Sequence, residues 1–91
     1  MPAARLDMID AHDWYELKQQ GLGAQFSAEV GLQIERVAAN PLHFPQVRGE
    51  VRRARLRRFP YALFFRDLAD GIHVIACFHS SRDPLIWQKR I

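Results

Sequence analysis

The sequence predicts an α+β fold: a helical hairpin packed on a small antiparallel sheet of about three strands, with a short C-terminal helix. Three observations point there. Apolar residues recur at helical spacing as far as residue 39, three later segments read as strands, and Gly- or Pro-bearing turns separate the elements. At 91 residues the chain makes one domain, 1–91, with a single modest core.

The first helix is expected over residues 3–19. Leu6, Ile9, Trp14 and Leu17 share one side, widened by Met8, Ala11 and Tyr15, and this side is expected to face the core. Gly21, in GLG at 21–23, supplies a left-handed stop. A second helix over 24–39 carries Phe26, Val30, Ile34 and Val37 as an amphipathic stripe. It ends at Asn40-Pro41, because the residue before proline disfavours helical geometry. Residues 42–50 read as a turn-rich crossover.

Strands follow. Residues 51–58 alternate, with Ala54 and Leu56 on one face and Arg53, Arg55 and Arg57 on the other. Residues 61–67 and 72–79 are mostly apolar, as in strands covered on one face and partly on the other. Asp70-Gly71 signals a hairpin turn between them, and Phe59-Pro60 interrupts the first pairing, since proline cannot donate to a ladder. Asp83 is placed to cap the final helix with Pro84 at its first position. Trp87 then packs on the sheet, leaving Arg82, Lys89 and Arg90 exposed.

An apolar fraction of 48% excludes a disordered chain. No apolar run approaches the ~20 residues of a membrane span, and the first ten residues lack the pattern of a secretory leader, so a cytoplasmic protein without membrane association is expected. The lone Cys77 fits a reducing compartment and reads as a small buried apolar residue. Charge is uneven. Residues 1–47 carry three basic and six acidic side chains, and residues 48–91 carry ten basic and four acidic. Eleven of the thirteen basic residues are arginine, the side chain suited to bidentate contacts with carboxylate or phosphate. An anionic partner is implied.

His12, His43, His73 and His79 have no Cys/His neighbours at ligand spacing, so no metal is expected. No phosphate-cradling glycine loop or nucleophile arrangement is visible, and no cofactor is expected. The cluster from Arg52 to Arg58 has three readings. It is a solvated strand edge that deters aggregation, a face that receives an acidic partner segment, or a phosphate contact with steep salt dependence.

The stretches DWYE (13–16), GLGAQF (21–26), AANPLHFP (38–45), VRRARLRRFPY (51–61) and HSSRDPLIW (79–87), in this order and spacing, resemble the RelE/ParE superfamily of type II toxin–antitoxin toxins, the ParE-like branch in particular. The resemblance implies a toxin that causes growth arrest by binding DNA gyrase, without catalysis of its own, and that a cognate antitoxin neutralises. Operator DNA is then met only through the antitoxin complex. The binding surface it suggests comprises Arg52, Arg53, Arg55, Arg57, Arg58, Phe59, Pro60 and Tyr61, with Arg82, Trp87 and Arg90 from the C-terminal region. The alternative branch implies a RelE-like ribosome-dependent mRNA endonuclease, with His79 and Arg82 as the weak catalytic candidates. A further alternative is an inactive remnant that only binds antitoxin. For His79 the plain reading is a strand end bonded to the turn at 80–83. Family members usually begin with a strand before the first helix, and here the helix starts near Met1. One sheet edge is therefore expected to be uncovered, favouring a homodimer or strand addition in a toxin–antitoxin hetero-oligomer.

Overall fold

The computed structural model describes residues 2–83 and 85–90. Helix α1 spans Pro2–Lys18 and α2 Leu22–Ala39, joined by a tight turn in which Gly21 takes φ 87°. One 3-10 turn, Pro41–His43, leads into the sheet. Its strands are β1 (Gln46–Arg48), β2 (Val51–Arg55), β3 (Tyr61–Leu68) and β4 (Gly71–His79), antiparallel in the order β1-β2-β3-β4. Helix α3, Leu85–Gln88, follows. The α+β class stands, with four strands rather than about three. The extra strand lies in the segment read as a crossover. Gly49, at φ 54°, reverses the chain so that residues 46–48 fold back on β2.

The helical hairpin is fastened by a side chain the motif itself supplies. Glu16 accepts the Gly21 N–H through Oε2 at 2.9 Å and the Gly23 N–H through Oε1 at 3.0 Å, satisfying donors that the start of α2 would otherwise leave open. Gly23 is also a close approach. A Cβ there would lie 2.8 Å from the His12 carbonyl oxygen. The DWYE and GLG stretches therefore describe one joint.

Helices α1 and α2 cover one face of the sheet. Tyr15, Phe26, Val30, Val37, Ala54, Leu63, Phe65 and Cys77 form the core there. The stripe expected on α2 is borne out, with Ile34 only partly buried. On α1 the orientation is reversed. Ala4, Ala11 and Tyr15 are buried, whereas Leu6, Ile9, Trp14 and Leu17 are 59%, 46%, 52% and 88% exposed. The side with the small residues faces inward because it lets α1 lie close to α2 and β4, and Tyr15 fills the remaining space. On the opposite face of the sheet Val51, Ala62, Phe64, Ile75, Ala76 and Phe78 pack with Trp87 of α3. Trp87 stacks on Phe64 at 4.7 Å, as expected of it. Asp83 caps α3 by accepting the Leu85 N–H at 2.9 Å; Pro84 lies outside the described residues.

The outer edge of β4 is not bare. Asp7 of α1 accepts the Cys77 N–H at 3.0 Å, and Arg90 donates to the Ile75 carbonyl at 2.9 Å. The two side chains also pair with each other, Nη1 to Oδ2 at 2.8 Å and Nη2 to Oδ1 at 3.3 Å. A bidentate ion pair thus takes the place of a neighbouring strand at this point. That corrects two expectations: this stretch of edge is covered, and Arg90 is an anchor rather than an exposed contact. Among the described residues no helix is long and apolar enough to cross a membrane.

Candidate anion-docking cleft

Strand β2 ends at Arg55, so the arginine cluster is split between a strand and a loop. The loop owes its shape to α2. Glu29 and Gln33 are the two buried polar residues of that helix. The Glu29 carboxylate accepts the Arg57 N–H at 2.6 Å, the Arg58 N–H at 3.0 Å and the Arg58 guanidinium at 3.0 Å. Gln33 donates to the Arg55 carbonyl at 3.0 Å. Burial pushes the Glu29 carboxyl up, but the N–H groups of Arg58 and Arg57 and the Arg58 guanidinium outweigh it, and its pKa lies below the ordinary value. Arg57 and Arg58 are therefore taken out of the strip expected on the strand. Arg52 falls on the other side of β2 from Arg53 and Arg55, where it donates to the Phe44 carbonyl at 2.7 Å.

What remains of the cluster lies on the face that α1 and α2 leave free. Arg53 and Arg55 line a cleft of about 540 Å³ together with Phe59, Pro60, Tyr61, His79, Arg82 and Trp87. Of the residues singled out in the sequence, these eight come together; Arg52, Arg57, Arg58 and Arg90 do not line it. Phe64 and Phe78 add apolar floor, and neither is suggested by the sequence, where both look like plain strand residues. The Arg82 guanidinium sits 4.0 Å over the Phe78 ring, a cation–π contact that keeps the charge facing outward while its apolar plane is covered.

The electrostatics of this cleft are one-sided. Its described lining includes three arginines, one histidine and no carboxylate. No ion pair among the described residues involves Arg53, Arg55 or Arg82. The Nε of Arg53 is buried without a hydrogen-bond partner among them. A buried guanidinium donor left unpaired costs free energy that an incoming acceptor recovers.

His79 is held by the turn that follows it. Its Nδ1 accepts the Ser81 N–H at 3.0 Å and lies 2.8 Å from the Ser81 hydroxyl. The neutral ring thus carries its proton on Nε2 and faces a ligand as a donor. The Tyr61 ring stands edge-on to it at 5.2 Å. Burial, then the neighbouring Tyr15 and Cys77, pushes the Tyr61 phenol above its ordinary pKa, so it too is a donor at neutral pH. The cleft therefore offers donors and cations over an aromatic floor, and its lining offers no carboxylate base. Such a set binds and orients anionic oxygens.

A scan against protein-family models matches none, and a search of the curated proteins finds no significant match.

Proposed function

We propose that the chain is the toxin of a type II toxin–antitoxin pair, ParE-like, acting in the cytoplasm by protein–protein binding to DNA gyrase and neutralised by a cognate antitoxin. The observation that supports this reading best is the trio Arg53, Arg55 and Arg82, without an ion-pair partner among the described residues, around an apolar floor. An acidic antitoxin segment with carboxylates at its rim and apolar anchors at its centre fits that surface, the charges giving orientation and encounter rate and the anchors most of the affinity. Gyrase then meets the same arginines once they are uncovered. The test is a supercoiling assay with purified, antitoxin-free protein. Loss of supercoiling with accumulation of cleaved DNA complexes is expected, and reversal of Arg53, Arg55 and Arg82 to Glu should weaken antitoxin binding more than tenfold. Unchanged supercoiling by folded protein would remove the gyrase reading.

One observation favours a second reading. His79 and Arg82 share the cleft with Arg53 and Arg55, which is the grouping a RelE-like mRNA endonuclease would use to hold a scissile phosphate. Under this reading His79→Ala abolishes mRNA cleavage on translating ribosomes while antitoxin affinity stays intact. The His79 Nδ1 is tied to Ser81, as in the plain strand-end role, and this places the endonuclease reading second.

A further inference from the structure

The arginine cleft continues past Tyr61 and His79. A second cavity of about 460 Å³ is lined by α1 on one side and by β3 and β4 on the other, and Pro60, Tyr61, His79 and Arg82 line both cavities. The two are therefore arms of one groove that meet at this shared ridge. Rings mark its course. Trp14 stands edge-on to Tyr15 at 5.0 Å, Tyr15 to Tyr61 at 5.9 Å, and Tyr61 to His79 at 5.2 Å. About five residues of extended chain, at ~3.3 Å each, cover that row.

The arms differ in charge. The cleft arm adds Arg53 and Arg55 to the shared Arg82, with no carboxylate in its described lining. The α1 arm sets Asp7 and Asp10 against Arg82. Asp7 is already engaged by Arg90 and the Cys77 N–H, so Asp10 and Arg82 leave this arm close to neutral. Ala11, Trp14, Tyr15 and Cys77 complete its wall. Charge complementarity then fixes the order of side chains in an occupant: carboxylates in the cleft arm and a bulky uncharged side chain in the α1 arm, where a charge of either sign would meet its like. A single strand of nucleic acid fits less well. Its phosphates recur at every residue, so some would lie against Asp7 and Asp10, and the rings pack edge to face rather than as a platform of parallel faces. A second copy of this chain also fits less well. Among the described residues its longest connections between elements, 56–60 and the stretch after His79, line the groove themselves and leave only short turns to insert.

We infer that one extended segment of a partner protein occupies both arms, its carboxylates held by Arg53, Arg55 and Arg82 and a bulky apolar side chain about five residues along seated against Trp14 and Tyr15. The inference rests on the acidic-segment reading of the cleft given above, to which it adds a second contact and its spacing.

The probes are synthetic peptides of about ten residues, made in both chain directions, with three glutamates at one end and a phenylalanine about five serines away; a control replaces the phenylalanine by serine. In calorimetric titrations of the full chain the phenylalanine peptide is expected to bind at least tenfold more tightly than the control. Trp14→Ala, at a half-exposed position, should reduce that advantage to less than about twofold. In Trp87→Phe, where Trp14 is the sole tryptophan, only the phenylalanine peptide should shift the emission. Arg53→Glu with Arg55→Glu should weaken both peptides. The inference alone is overturned if the control binds as tightly as the phenylalanine peptide while the arginine reversal still weakens both, or if the advantage survives in Trp14→Ala. It is also overturned if a single-stranded oligonucleotide of matched length binds more tightly, or if sedimentation shows a dimer that Trp14→Ala dissociates. Binding of neither peptide, or binding indifferent to the arginine reversal, overturns the acidic-segment reading together with it.

Discussion

Glu29 shows how much one buried carboxylate decides. It fixes the backbone of Arg57 and Arg58 and so sets where the arginine strip stops. Glu29→Ala leaves two backbone N–H groups without their acceptor and should cost roughly 3 kcal/mol in urea unfolding. Because the folded pKa lies below the ordinary value of 4.5, the carboxylate's contribution is complete above that pH and is lost as pH falls through the lower folded value. Glu29→Gln should therefore flatten the acid limb of the stability profile below pH 4.5 and leave the neutral-to-basic limb parallel to the parent. Cys77 gives a second residue-scale test. Burial, with the Asp7 carboxylate nearby, pushes its thiol up to about 12, so a thiol reagent at pH 8 should label it only when the protein unfolds. Its role as an apolar filler is legible in the sequence because nothing else in the chain could pair with it.

Elements are legible where composition leaves one choice. The α2 stripe, the Gly21 stop, the Asn40-Pro41 end and the Asp-Gly hairpin all follow from local rules, and the structure keeps them. Helix α1 escapes those rules because both of its sides carry apolar residues; small size, not hydrophobicity, chose the inner one. Strand β1 escapes them because three residues, Gln46–Arg48, have no periodicity to read. The cleft is half legible for a related reason. Alternation places Arg53 and Arg55 correctly, but the end of β2 depends on Glu29, which sits 28 residues away from Arg57. A glutamate and a glutamine three and seven residues after Phe26, on the core side of α2, were the available signal. The joint between α1 and α2 is the place to test an element. In an open helix Gly→Ala gains about 1 kcal/mol, yet at Gly23 the new methyl meets the His12 carbonyl, so Gly23→Ala should lower stability by roughly 1–3 kcal/mol.

Over the whole molecule, charge and topology act together. The acidic half supplies α1 and α2, and the basic half supplies most of the cleft face, so charge is divided between the two sides of the sheet. Docking of an acidic segment in the cleft should slow with added salt, chiefly through the association rate, and a stopped-flow series over ionic strength checks this. Arg90→Ala should cost about 3–5 kcal/mol, because it strands the nearly buried Asp7 carboxylate. That ion pair also sets an order of events. Its two residues stand 83 positions apart, so at synthesis rates of about 5–20 residues per second residue 7 waits roughly 4–17 s for residue 90. Ile75 is made only 15 positions before Arg90, so the edge of β4 is completed by the last side chain to be added to it. A chain cut short before residue 90 therefore keeps the Ile75 carbonyl open to a strand from another molecule.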